Sequence, residues 1–273
     1  MQIKQLYFRS GPGKLFGALF IPTFPKKNKG FVVCHPPFEE KKSSQRTFFD
    51  MSYALTEKGY HVLMFDFYAC GDSEGDFLET DLFIWQNNIN DAIDFLKAEA
   101  EIHTITIIAL RLSATLGLMS VFHRNDAINL ILIEPISSYV KYLKVSLKQK
   151  LIKELLTSGV ISADRDELLD KLNKGVSLDF DGYEITQNFY LSSLSLDKQL
   201  AIPNRSALSN ITILSIVNKR KTLGHVQVLQ SFLPETKFEM IEVNGVDQFW
   251  AKLDDVEYKN LTKNVLTLAD KES

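Results

Sequence analysis

Apolar residues recur along this chain in two rhythms. Residues 3–9 (IKQLYFR) and 15–21 (LFGALFI) alternate, as a strand with one covered face does. Ser10-Gly11-Pro12-Gly13 between them is a turn signal, so an antiparallel hairpin is predicted. Short continuous apolar runs follow: Phe31 to His35, His61 to Asp66, Asn129 to Pro135, Ile211 to Val217 and Phe238 to Val243, and a further buried strand opens the stretch His103 to Ala114. Such runs suit strands buried on both faces of a parallel sheet. Between them the apolar positions take helical spacing. Residues 44–58 carry Phe48, Phe49, Met51 and Leu55 and stop at Gly59. Trp85 to Ala98 sets Ile89, Ala92, Ile93 and Leu96 on one face, and residues 256–269 make the last helix. Strand alternating with helix predicts right-handed crossovers and a mostly parallel sheet flanked by helices. Residues 137–205 break the rhythm: they read as helical, polar and lysine-rich, with little strand pattern before Ser209.

Composition narrows the class. A chain of 273 residues suits one large α/β domain, or a core plus a small insertion, and can bury a sizeable core. Nineteen phenylalanines and nine tyrosines predict an aromatic core and an apolar pocket. The net charge of −3 gives no electrostatic reason to expect nucleic acid or an anionic membrane. Cys34 and Cys70 have neither zinc nor redox spacing and read as reduced thiols of a cytosolic protein. No apolar stretch reaches the roughly 18 residues of a membrane span, and the N-terminus has no signal-peptide run, so a cytoplasmic protein is expected. No histidine pair has metal-ligand spacing; neither metal nor cofactor is expected.

The candidate chemistry lies at His103 to Ala114, a buried strand running straight into a helix. That is the layout of the nucleophile elbow G-x-S-x-G of α/β-hydrolases. In register, Ala109 and Ser113 take the two glycine places and Arg111 takes the serine place. A guanidinium stays protonated and cannot attack a carbonyl. Loss of both glycines also argues against the usual tight turn. The acid place, after the strand ending near Val217, reads Asn218-Lys219. The histidine place, after the last strand, falls on Asp247. None of the three positions holds its usual residue, so a standard Ser-His-Asp mechanism is not expected. Ser113 is a weak candidate nucleophile, set against a helix-start hydroxyl bonding free backbone. Cys70 and Ser73 follow the strand ending at Asp66, with no histidine placed beside them as a base. His35, where the oxyanion loop of such folds begins, is the best-placed histidine; its simpler reading is a loop-ordering hydrogen bond. His61, His103, His123 and His225 read as strand-edge or surface histidines.

Longer motifs carry a resemblance. His35-Pro36-Pro37-Phe38-Glu39-Glu40, Arg46, Phe65-Asp66-Phe67-Tyr68-Ala69-Cys70-Gly71-Asp72-Ser73-Glu74-Gly75-Asp76-Phe77, Trp85 and Leu110-Arg111-Leu112 resemble one α/β-hydrolase subgroup. It is the exosortase-A-system-associated hydrolase, type two, of bacteria with PEP-CTERM sorting and exopolysaccharide loci. The likeness continues through Glu134-Pro135-Ile136, Gly182-Tyr183-Glu184 and Phe249-Trp250. It implies an α/β-hydrolase fold, a cytoplasmic protein, a general hydrolase assignment and an elbow arginine shared by the subgroup. The expected organisation is a core of residues 1–136 and 206–273 with a helical cap insertion at 137–205, where such proteins often carry a lid.

A buried cation needs a counter-charge. Asp247 is the expected partner of Arg111, with Glu39 and Glu134 as competitors. The pair either is structural or, with the helix start, binds an anionic group of a ligand. Expected ligand contacts are His35, Pro36, Phe38, Glu39, Arg111, Leu112 and Asp247. Two readings of function follow. One is a hydrolase of an ester- or acyl-type substrate with its triad replaced, working through an unidentified nucleophile or an activated water. The other is a non-catalytic protein of the exosortase or exopolysaccharide system, binding an acyl or saccharide ligand or a protein partner. Nucleic acid and an integral membrane position are not expected.

Overall fold

The computed structural model describes residues 1–23, 26–158, 164–180, 182–202, 210–216, 219–251 and 258–271. The predicted hairpin forms as β1 (Gln2–Ser10) and β2 (Gly13–Ile21), paired from Gln2 opposite Ile21 to Ser10 opposite Gly13. The buried runs become β3 (Lys29–Cys34), β4 (His61–Phe65), β5 (Thr104–Leu110), β6 (Ile128–Ile133), and, after an insertion, two further strands, Ile211–Ser215 and Phe238–Glu242. Helices α1 (Glu39–Glu57), α2 (Leu82–Ala100) and α3 (Leu112–Ser120) make the first crossovers. Helix α1 starts five residues before the predicted 44, because Glu39 and Glu40 suit a first helical turn.

The insertion between β6 and the next sheet strand holds α4 (Tyr139–Ser158), α5 (Arg165–Asn173), a hairpin β7 (Leu178–Phe180) and β8 (Tyr183–Ile185), and α6 (Gln187–Leu200). The hairpin was not predicted: three residues per strand are too few to show alternation. Then come β9 (Ile211–Ser215), α7 (Lys219–Phe232), β10 (Phe238–Glu242) and α8 (Lys259–Lys271). Strand order in the eight-stranded sheet is β1-β2-β4-β3-β5-β6-β9-β10. Every pair from β4 to β10 is parallel; the N-terminal hairpin adds antiparallel through β2 and β4.

Strand alternation splits the core into two layers. Phe31 and Val33 of β3 face α1 and α8 residues such as Phe48 and Leu261, while Val32 and Cys34 join Trp85 and Ile89 of α2 on the other side. Apolar residues of the insertion, among them Tyr139, Leu147, Phe180 and Phe189, belong to that second layer. Asp197 of α6 ties the start of α4 down: Ser138 Oγ (2.5 Å), Tyr139 N (2.7 Å) and Val140 N (3.2 Å) all donate to its carboxylate. The insertion therefore packs on the α2 side and brings α4 over the sheet's C-terminal edge, beside Arg111 and Glu40.

The long motif after β4 is explained by packing. Asp66 pairs with Lys41 at 2.6 Å and accepts from Asp72 N at 3.0 Å. Ser73 Oγ donates to the Asp66 carbonyl (2.6 Å) and accepts from Phe16 N (2.9 Å). Gly75 has φ +110°, and a Cβ there would overlap the Tyr68 ring. Phe77 and Trp85 pack with Phe38 and Phe189 in an aromatic cluster that joins the core to the insertion.

Candidate functional site

Strand β5 ends at Leu110 and α3 begins at Leu112, leaving Arg111 alone in the turn. Its backbone has φ 57° and ψ −116°, a region costing about 1–3 kcal/mol in a residue with a Cβ. Arg111 N donates to Ile133 O at 2.9 Å, locking the turn to β6. The sharp elbow is thus kept without its glycines, contrary to the expectation from Ala109 and Ser113. Both are fully buried, and both are small enough for the turn to close over them.

The Arg111 side chain is about one-fifth exposed, 21%. Its guanidinium lies over two rings, with Cζ 5.5 Å from the Trp250 centroid and 5.9 Å from Tyr142. The carboxylate beside it is Glu40, with Oε1 3.5 Å from Nε, beyond good hydrogen-bond length. Nε is buried without a hydrogen bond. Among the described residues no hydrogen bond reaches either Nη group. Tyr142 Oη donates to the other Glu40 oxygen at 3.0 Å. Burial still outweighs both partners and holds the Glu40 carboxyl above its usual range. Glu40 is thus an ion-pair partner of Arg111 without a good hydrogen bond to it.

The expected Arg111–Asp247 pair is not the one formed. Asp247 is exposed after β10, whereas the N-terminal turn of α1 carries Glu40 directly over the elbow. Glu39, one residue away, holds Lys42 at 2.7 Å. Glu134 is buried and accepts from Ile216 N (2.6 Å) and Thr222 Oγ1 (3.1 Å). It braces the β6 end against β9 and α7.

Ser113 is completely buried and donates to the backbone carbonyl of His35 at 2.5 Å. It meets that residue's main chain and not its imidazole. His35 is itself buried, edge-on to Phe48 at 5.3 Å, and burial, with Lys41 nearby, lowers its pKa to about 4. It is a neutral core residue near pH 7. Its loop is ordered through the main-chain carbonyl. Pro36 and Leu112 are buried too, and Phe38 sits in the aromatic cluster with a backbone φ of 60°. Cys70 is buried and its thiol is pushed up to about 12, far from a thiolate. Among the described residues, no serine or cysteine is hydrogen-bonded to a histidine ring, and no group of acidic, histidine and cysteine residues could hold a metal. Asn218, the expected acid place, lies outside the described residues.

A cleft of about 620 Å³ opens over the elbow, lined by Arg111, Glu39, Glu40, Tyr142, His225 and Trp250 among others. A recess of about 220 Å³ shares Glu40 and Tyr142 and runs on to Lys150 and Lys153 of α4. Of the residues expected to touch a ligand, Arg111 and Glu39 line the main cleft, and Phe38 lines the recess. Three residues around the guanidinium were missed. Glu40 and Trp250 stand inside motifs already singled out; Tyr142 sits in the insertion, whose path the sequence does not reveal.

No family profile and no curated protein matches the sequence. Solved structures do match over nearly the whole chain. An α/β serine hydrolase without a lid from Xanthomonas campestris shares 13% identity, covering 99% of this chain and 94% of that one, with TM-score 0.59. Est1E from Butyrivibrio proteoclasticus, bound to ferulic acid, shares 18%, covering 97% and 98%, with TM-score 0.64. An esterase from Pyrococcus furiosus shares 14%, covering 99% and 90%, with TM-score 0.59. The chain has the α/β-hydrolase fold. In that fold the elbow turn presents the reacting group, and here the group presented is Arg111. At this level of identity the likeness carries the fold and no activity.

Proposed function

We propose that this chain is an α/β-hydrolase superfamily protein whose cleft binds an ester- or acyl-type ligand carrying an anionic group, and that it forms no serine acyl-enzyme. The observation that carries this is the Arg111 guanidinium. It stands at the elbow on a backbone fixed to Ile133 O, lies near two aromatic rings, faces a cleft, and leaves its Nη donors without a hydrogen bond among the described residues. Two parallel N–H groups match a carboxylate or phosphate bidentately. The α3 N-terminus adds its partial positive charge. Residues 137–205 act as the cap of this cleft, since α4 supplies Tyr142 to its wall. The resemblance to exosortase-A-associated hydrolases supports reading the ligand as an acyl or saccharide derivative of a cytoplasmic step in exopolysaccharide or sorted-protein handling.

Titration with octanoate, octyl phosphate and octyl glucoside tests the reading. The two anions are expected to bind and to lose at least about tenfold affinity in Arg111→Gln; the glucoside is not expected to respond to that change. Equal affinity in wild type and variant overturns it.

One observation favours a second reading, weak hydrolysis through an activated water. Glu40 is a carboxyl with a raised pKa at the elbow, as a general base requires. Turnover of p-nitrophenyl esters that disappears in Glu40→Gln, without labelling by a fluorophosphonate, would select it.

A further inference from the structure

We propose that the outward face of α4 is a docking surface for an anionic lipid bilayer, placed at the mouth of the cleft. The reading stands beside the proposed ligand site and does not need it. Helix α4 is buried along one side through Tyr139, Leu143, Leu147 and Leu151. Its opposite side exposes Val145 (55%), Ile152 (46%) and Leu156 (82%), spaced seven and four residues apart and so stacked in one row. Leu155 adds to the row's edge at 42%. Four large aliphatic side chains exposed on one helix are more than scattered surface residues need.

Charge says what covers them. From Tyr139 to Ser158 the helix carries five lysines against one acidic residue, Glu154, in a chain whose net charge is −3. The overall balance hides this local excess. Lys141 and Lys148 are exposed and Lys144 half-exposed, on one flank of the aliphatic row. A row of aliphatic residues flanked by lysines is the pattern of a helix that lies in the interface plane of a membrane. The lysines meet lipid phosphates, and the aliphatic row enters the acyl boundary. A protein partner would need acidic groups set along one side of an apolar ridge; an anionic bilayer offers negative charge beside an apolar interior everywhere. No helix among the described residues is long and apolar enough to cross a membrane, so the contact is peripheral.

The position matters for ligand access. Lys141, Tyr142, Val145, Ser146 and Gln149 line the cleft, so the same helix walls the cleft and bears the docking row. A docked protein would take an amphiphile from the bilayer with its anionic head toward Arg111.

Cosedimentation with vesicles tests this on the full chain. Vesicles of phosphatidylcholine with 30–40% phosphatidylglycerol (roughly, enough for a strong surface potential) are compared with pure phosphatidylcholine. The protein is expected to pellet with the anionic vesicles only, and to be released by high salt. Lys144→Glu with Lys148→Glu, and separately Ile152→Ser with Leu156→Ser, are each expected to weaken binding by about tenfold or more. These positions lie on the helix exterior, and circular dichroism confirms the fold. Arg111→Gln is expected to bind vesicles as wild type does, which separates this test from that of the ligand site. Absence of pelleting with anionic vesicles, or pelleting unchanged in both α4 variants, overturns the proposal. So does a dimer in solution that Leu156→Ser dissociates while vesicle binding is nil.

Discussion

Removing the elbow cation should expose the cost of burying Glu40. At 3.5 Å and an effective dielectric near 20, the Arg111–Glu40 attraction is about 5 kcal/mol before desolvation. Both side chains keep about one-fifth of their surface, 21% and 19%, and the contact is longer than a good hydrogen bond, so much of that gain is offset. Arg111→Ala also relieves little strain, because alanine suffers at φ 57° as arginine does. A net loss of about 1–2 kcal/mol is expected in urea unfolding near pH 7. The sign of its pH dependence is the sharper test. Glu40 has a folded pKa above its ordinary value, so the folded state binds the proton more tightly. Stability must then fall as pH rises from the ordinary glutamate range through the raised folded value. Without Arg111 the raised value moves higher and the slope becomes steeper. Glu40→Gln should flatten this contribution, and the double variant should recover most of the loss. If Arg111→Ala unfolds at the wild-type midpoint at every pH, or if Glu40→Gln fails to rescue it, the two side chains are not coupled and the account of the elbow fails.

Other consequences are readily checked. Ser113→Ala should lose about 1–2 kcal/mol through the buried hydrogen bond to His35 O, and should leave octyl phosphate affinity unchanged in calorimetry; lost binding would give Ser113 a role in the site. His35 is buried with its pKa lowered to about 4, so the unfolded state takes up the proton first as pH falls. Stability should drop by up to about 3 kcal/mol between pH 6.5 and 4, opposite in sign to the Glu40 contribution, and His35→Asn should remove that slope in thermal melts. Gly75→Ala, at φ +110° against Tyr68, should cost about 2–4 kcal/mol in denaturant midpoint, whereas Gly182→Ala, with open space around it, should cost only its backbone strain.

Most of the fold was legible because burial on both faces of a parallel sheet leaves continuous apolar runs. β3, β4, β6, β9 and β10 all fall within two residues of those runs at the described ends, and β5 with α3 forms the strand and helix read at His103 to Ala114. What could not be read were elements whose pattern depends on partners. The hairpin of β7 and β8 is too short to alternate, and α7, lysine-rich at its start, shows no long apolar stripe. The beginning of α1 was missed because Phe38, Glu39 and Glu40 follow two prolines and look like loop. Phe38 enters the helix from φ 60°, held there by its aromatic neighbours.

The site was half legible for a related reason. A side chain's place in a recurring layout of strand, turn and helix follows from local sequence, so Arg111 was located from β5 and α3 alone. Its partner does not follow, because the choice among carboxylates is made by elements far apart in the chain. Asp247 seemed favoured because serine and histidine places face each other in hydrolases of this fold. That inference assumes the histidine loop still points inward, and here Asp247 is exposed while Trp250, three residues on, turns in against the guanidinium. Once an aromatic ring takes the inner position, the counter-charge must come from another wall of the cleft, and α1 supplies Glu40 from its first turn. The three positions are thus physically linked. An arginine in this turn needs a planar neighbour and a carboxylate within reach, and Trp250 and Glu40 meet those needs.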